Sequence, residues 1–147
     1  VEMRVHNSLA TPGQAVMLGT KVDLKTVDTD TYAVAGIADH ICPWSAVYGT
    51  TQLLGGDVKF ALSSSGHVAA IINPPGNPKA KFRVADDNPK TAEEWLKSAT
   101  AVQGSWWPDF SAWAAKRGGG KVAAPTELGS ETFKPIGPAP GKYISED

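Results

Sequence analysis

Residues 31–63 constrain the fold of this chain more than any other stretch. "TYAVAGI" (31–37) and "VKFALS" (58–63) are short, largely apolar runs. Between them, "PWSAVYGTTQLLG" (43–55) puts Trp44, Val47, Tyr48, Thr51 and Leu54 on one helical face. A short run of small and branched apolar residues fits a strand buried on both faces of a sheet. Pro43 suits a first helical position and Gly55 a cap at the helix end. Strand, helix, strand in this order is a right-handed crossover, so the two strands are expected to lie parallel.

The flanking segments are less regular. Residues 7–30 are polar, broken by Pro12, Gly13 and Gly19, and read as loop. Residues 64–90 read as loop with a short turn of helix or strand at 68–72 and an extended piece at 81–84. Thr91 with Glu94 forms a capping box that opens a helix. Trp95, Leu96, Ala99 and Val102 line its apolar face, and Gly104 ends it. "SWWPDFSAWAAKR" (105–117) is a second helix, started near Pro108, with Phe110, Trp113 and Ala114 on one side. The tail, 121–147, holds four prolines and three glycines. It is expected to run extended over a surface through Phe133, Ile136 and Tyr143. With 147 residues the chain is long enough for one core. The expected fold is α/β: a parallel sheet with flanking helices and an extended Pro/Gly-rich tail, 1–147 forming a single segment.

Composition narrows the function. Net charge is −1, and no basic patch is interleaved with aromatics, which argues against a nucleic-acid partner. No apolar run approaches the ~20 residues of a membrane span. Cys42 is the sole cysteine, so no internal disulfide forms, in keeping with a reducing cytoplasm. The chain opens at Val1 without an initiator methionine, as a processed product or a piece of something longer would.

The chemistry gathers at one sheet edge. Asp39 follows the first strand by two residues and His67 the second by four. In an open α/β sheet the carboxyl ends of the strands form the site edge, so both residues project toward it. A carboxylate so placed holds the imidazole tautomer and leaves the other nitrogen as a base. Asp39 alone could equally be a carboxylate at a helix entry. His40 reads as a loop or packing residue, Cys42 as a small buried filler at the helix start, and Trp106 and Trp107 as core and interface anchors. The nucleophile elbow that such a pair serves, G-x-S-x-G or its cysteine form, occurs nowhere in the chain.

"AGIADHICPWSAVY", "FALSSSGHVAAIINPPGNPKA", "GSWWPDFSAWAAKR" and "GPAPGKYI" together resemble the C-terminal part of the polyhydroxyalkanoate synthases, the polyester polymerases of bacterial storage granules. The resemblance runs from about Asn7 to Ile144. It implies an α/β-hydrolase catalytic domain with a Cys–Asp–His site, which polymerises 3-hydroxyacyl groups from coenzyme A thioesters and releases coenzyme A. By position, Asp39 is the aspartate of the "DHI" motif and His67 the histidine of the "SGH" motif. The histidine activates a cysteine thiol; the aspartate orients that histidine or helps to deprotonate the incoming 3-hydroxyl. The family's cysteine sits on an upstream elbow that this chain does not contain, and Cys42 matches no nucleophile position.

From this follow the partners: 3-hydroxyacyl-coenzyme A, the polyester chain, the missing N-terminal portion with its cysteine, and a homo-oligomer of the intact enzyme at the granule surface. No metal or resident cofactor is expected; coenzyme A enters as part of the substrate. The isolated chain should be inactive. A thiol needs an adjacent base to ionise, and polymerisation requires water to be kept from the acyl intermediate. The apolar stretch Ile71 to Pro78 suits such a wall. The opposing reading is a non-catalytic module that binds a partner or the granule through its tryptophans and tail.

Overall fold

The computed structural model describes residues 6–145. The chain divides into two compact units, Val1–Lys116 and Arg117–Asp147.

The first unit is built on a four-stranded sheet. Its strands are β3 (Thr31–Gly36), β4 (Val58–Ser63), β5 (Lys81–Val84) and β6 (Thr100–Gln103), in that spatial order. They follow a two-stranded hairpin of β1 (Val16–Met17) and β2 (Thr20–Lys21), whose turn places both Leu18 and Gly19 at positive φ. This is the backbone shape that lets a two-residue hairpin follow strand twist. The segment expected to be plain loop thus carries a small hairpin.

The crossover reading of 31–63 holds. β3 and β4 are parallel, registered from Thr31 opposite Val58 to Gly36 opposite Ser63. The intervening helix is broken at Gly49 into α1 (Trp44–Tyr48) and α2 (Thr50–Leu53). Beyond β4 the sheet departs from expectation. β5 runs antiparallel to β4, and β6 antiparallel to β5, so the sheet is mixed and not wholly parallel. The helix expected over 91–104 ends at Ser98: α4 is Ala92–Ser98, and Thr100–Gln103 is β6. Val102 therefore belongs to the sheet. Thr100 and Val102 are β-branched and favour the pleat, and β5 supplies a ladder that further helical turns would forgo. The capping box of α4 is present, with the Glu94 N–H donating to Thr91 Oγ1 and the Thr91 N–H to Glu94 Oε2.

Side-chain alternation splits the core between the two faces of the sheet. Ala35, Phe60 and Leu62 meet Tyr48, Ala92, Trp95 and Ala99 on one face. Ala61 and Phe82 meet Trp106 on the other, with Tyr32, Val34, Val102 and Phe110 packed around them. Trp95 and Phe60 are 0% and 1% exposed and sit edge to face, 4.8 Å between centroids. Truncating either to alanine is worth roughly 3–5 kcal/mol. On the second face α5 (Trp107–Ala115) is fixed by a polar clasp: Tyr32 Oη donates to Asp109 Oδ2 at 2.7 Å, and Lys59 Nζ reaches Asp109 Oδ1 at 2.8 Å.

The second unit is largely without regular structure and closes in a 3₁₀ turn, Lys142–Ser145. Locally, the Ser130 N–H donates to the Phe133 carbonyl and the Gly141 N–H to that of Pro138. Among the described residues no helix is long and apolar enough to cross a membrane.

Candidate acid–base site

The parallel pair β3–β4 brings two loops together at its carboxyl end. The Ile37 N–H donates to the Ser63 carbonyl at 2.9 Å and the Ala38 N–H to that of Ser65 at 3.1 Å, so the loops are stitched by backbone. Past β3 the chain turns tightly around Asp39. Its Oδ1 accepts the N–H groups of Ile41 and Cys42, both at 2.9 Å. Past β4, Ser65 takes a left-handed backbone (φ 82) and Gly66 leads into α3 (His67–Ile72). His67 is thus the first residue of a helix, one position ahead of the short turn that the sequence predicts at 68–72.

Helix α3 is held on two sides. On one it presses onto the end of β3 at Gly36, where a Cβ would lie 2.7 Å from Cβ of the buried Ala70. On the other, Trp106 Nε1 donates to the Ala70 carbonyl at 3.0 Å, and Trp107 Nε1 to the carbonyls of Ile71 and Ile72 at 3.2 and 3.0 Å. These are carbonyls of its last turn, which a helix this short cannot satisfy internally. Trp106 is the buried anchor that was expected, while Trp107 lies at the surface. Their role as donors to α3 has no local sequence signature. The chain then leaves α3 through Asn73, whose buried amide donates to Ser63 Oγ at 3.1 Å and whose Oδ1 accepts from Asn77 Nδ2 at 3.0 Å. The Pro-rich loop is pinned to β4 in this way.

These supports place His67 Nδ1 2.8 Å from Asp39 Oδ2. The carboxylate is nearly enclosed and the imidazole half open, with side-chain exposures of 8% and 42%. An ionised carboxylate can only accept, so Nδ1 carries the shared hydrogen. The neutral ring then keeps its lone pair on Nε2. The Cys42 N–H is the largest influence lowering the Asp39 carboxyl to about 2; the His67 contact and the Ile41 N–H add to it, against partial burial. Asp39 is thus a permanent anion at neutral pH, with both oxygens engaged.

Cys42 departs from expectation. It is exposed, not a buried filler. Its backbone is drawn in by Asp39, and its thiol shares a cluster with the pair: one donor atom from each of Asp39, Cys42 and His67 lies within 4.8 Å of the others. His40, beside Asp39 in the chain, is exposed.

No family model matches the chain. Curated relatives do. The chain is 47% identical over 94% of its length to poly(3-hydroxyalkanoate) polymerase 2 of Ectopseudomonas oleovorans. It is 41% identical over 95% to the poly(3-hydroxyalkanoate) polymerase subunit of Cupriavidus necator, and 41% over 99% to polymerase 1 of Ectopseudomonas oleovorans. It spans about a quarter of the length of each (25%, 24% and 26%). The likeness carried by the motifs is thereby shown: the chain corresponds to a portion of a poly(3-hydroxyalkanoate) polymerase.

Proposed function

We propose that this chain is the acid–base portion of a polyester polymerase that transfers 3-hydroxyacyl groups from coenzyme A thioesters to a growing polyhydroxyalkanoate chain. One observation carries the reading: Asp39 Oδ2 and His67 Nδ1 pair at 2.8 Å beyond the carboxyl ends of parallel strands, leaving Nε2 as the available base. The nucleophile is a cysteine from a polymerase segment outside this chain, in an α/β-hydrolase-like sheet that β3 extends. Residues 1–147 form one segment of that catalytic domain, 121–147 being its extended tail. The assembled enzyme acts as a homo-oligomer at the granule surface in the cytoplasm.

The steps follow from ordinary acyl-transfer chemistry. His67 Nε2 takes the thiol proton, and the thiolate attacks the thioester carbonyl. The C–S bond to coenzyme A breaks, and the leaving thiolate recovers the proton from His67. The acyl-cysteine is then attacked by a 3-hydroxyl group whose proton passes to the same nitrogen; an ester bond forms and the cysteine thiol is restored. Asp39 holds the ring and stabilises its charged form. Two amides on Oδ1 and the imidazole on Oδ2 favour this orienting role over direct deprotonation of the hydroxyl.

The test is coenzyme A release from a 3-hydroxyacyl thioester. In the polymerase containing this segment, His67→Ala is expected to lower the rate by orders of magnitude, and residues 1–147 alone to release none above background. Undiminished release by the His67→Ala polymerase overturns the assignment.

A further inference from the structure

We infer that Asp39, Cys42 and His67 form a capture site for a thiophilic divalent cation of the zinc class. The three residues offer an oxygen, a sulfur and a nitrogen within 4.8 Å of one another, and Cys42 and His67 are exposed. A tetrahedral zinc ion with ligand bonds of ~2.0–2.3 Å holds its donors roughly 3.5 Å apart. The Asp39 Oδ2–His67 Nδ1 contact, at 2.8 Å, is shorter than this and opens to admit an ion, while the exposed Cys42 thiol, within 4.8 Å, turns in to complete the set. Its backbone already faces the site, because the Cys42 N–H donates to Asp39 Oδ1 at 2.9 Å.

The donor set decides the class of ion. Thiolate and imidazole suit zinc and other borderline or soft ions; magnesium and calcium require oxygen ligands. Three protein ligands leave a fourth position to water or to a ligand from outside. On binding, the Cys42 S–H bond breaks, its proton goes to solvent and a sulfur–metal bond forms. No ligand spacing announces the site in the sequence, because 39 and 42 share a turn while 67 arrives across the parallel strand pair. An ion held here occupies both members of the acid–base pair; that consequence rests on the proposed function, whereas the binding itself does not.

Titration of residues 1–147 with cobalt(II) and, separately, zinc(II) chloride tests the site without any substrate. The expected result is one equivalent of cobalt(II) with a sulfur-to-cobalt charge-transfer band, and zinc binding that releases protons. Cys42→Ser should abolish the band, and both Cys42→Ser and His67→Ala should weaken zinc binding by at least about 10-fold. Circular dichroism confirms that the variants fold. A cobalt(II) spectrum lacking the sulfur band, or a zinc affinity unchanged in Cys42→Ser, overturns the inference and leaves the acid–base assignment standing.

Discussion

His67 Nδ1 lies 2.8 Å from Asp39 Oδ2 although 28 residues separate the two in the chain. Helices α1 and α2 and strand β4 lie between them, and the parallel register of β3 and β4 delivers both to one edge. Asp39→Asn tests what the carboxylate does. The amide oxygen can still accept the Ile41 and Cys42 N–H groups, so the loop should keep its shape. The amide nitrogen, however, presents a donor to Nδ1 and reverses the preferred tautomer. In the assembled polymerase, turnover should fall by roughly 10²–10⁴ while the fold is retained. Steady-state kinetics beside a melting curve would check it, and a variant with normal turnover would refute the orienting role.

Acid titration gives a second expectation. The Asp39 carboxyl titrates at about 2, below its ordinary 3.8, chiefly through the Cys42 N–H. Between these values the unfolded chain binds more protons than the folded one. The stabilisation is therefore present at neutral pH and is lost as pH falls from about 4 toward about 2. Carboxyl ¹³C NMR should show the low midpoint, and the Asp39→Asn variant should lack this component of acid destabilisation. A midpoint near 3.8 would contradict the geometry.

Gly36 is the third point of attack. A Cβ there would meet Ala70 Cβ at 2.7 Å and the Ser65 carbonyl at 3.0 Å, so α3 has to retreat. Gly36→Ala should cost ~1–3 kcal/mol and shift the His67 ring resonances. Gly76→Ala, where nothing lies within 4 Å, should stay within about 0.5 kcal/mol of the parent. Equal melting temperatures for the two variants would show that the contact is not tight.

The tryptophan donors should differ in weight. Trp106→Phe strands the Ala70 carbonyl inside the core, at a cost of about 1–3 kcal/mol before any loss of packing. Trp107→Phe releases carbonyls that water can reach, so its cost should be smaller. Denaturation midpoints of the two variants, measured in parallel, decide the order.

Much of this was legible in advance, for identifiable reasons. The β3–β4 crossover reads from sequence because both strands are short apolar runs with core packed on both faces, and the intervening helix carries its own punctuation. Asp39 and His67 read because sheet topology directs strand ends to one edge. Val102 misleads because it continues the spacing of Trp95 and Ala99 while Thr100 and Val102 also alternate; the ladder to β5, made by distant residues, decides between them. The antiparallel turn at β5 leaves no local mark in a Pro-rich loop. Cys42 was misplaced because a small apolar residue at a helix start is more often buried; here the Asp39 turn holds it at the surface. The indole bonds to α3 join residues 35 and 36 positions apart, beyond any periodicity.

The β3 edge yields one more expectation. Among the described residues β3 pairs only with β4. The Thr31 and Ile37 N–H groups point toward the β4 side, so by alternation those of Tyr32 and Val34 point off the sheet. No charged residue interrupts 32–37 to blunt this edge. The chain should therefore self-associate when isolated, the edge being paired in the assembled polymerase. Sedimentation velocity that finds a concentration-independent monomer would show the edge to be covered.

The clasp of Tyr32, Lys59 and Asp109 gives the molecule an alkaline weak point. Burial first, then the bond to Asp109, raises the Tyr32 hydroxyl well above its ordinary value of 10.0. The folded chain thus holds a proton that the unfolded chain surrenders from about pH 10 upward, and the stabilisation drains away as pH climbs toward the folded-state value. Ionisation would set a phenolate against the Asp109 carboxylate and loosen α5, the helix that opens at Trp107 just after Trp106, whose indoles secure α3. Base would then dismantle the histidine's support from behind.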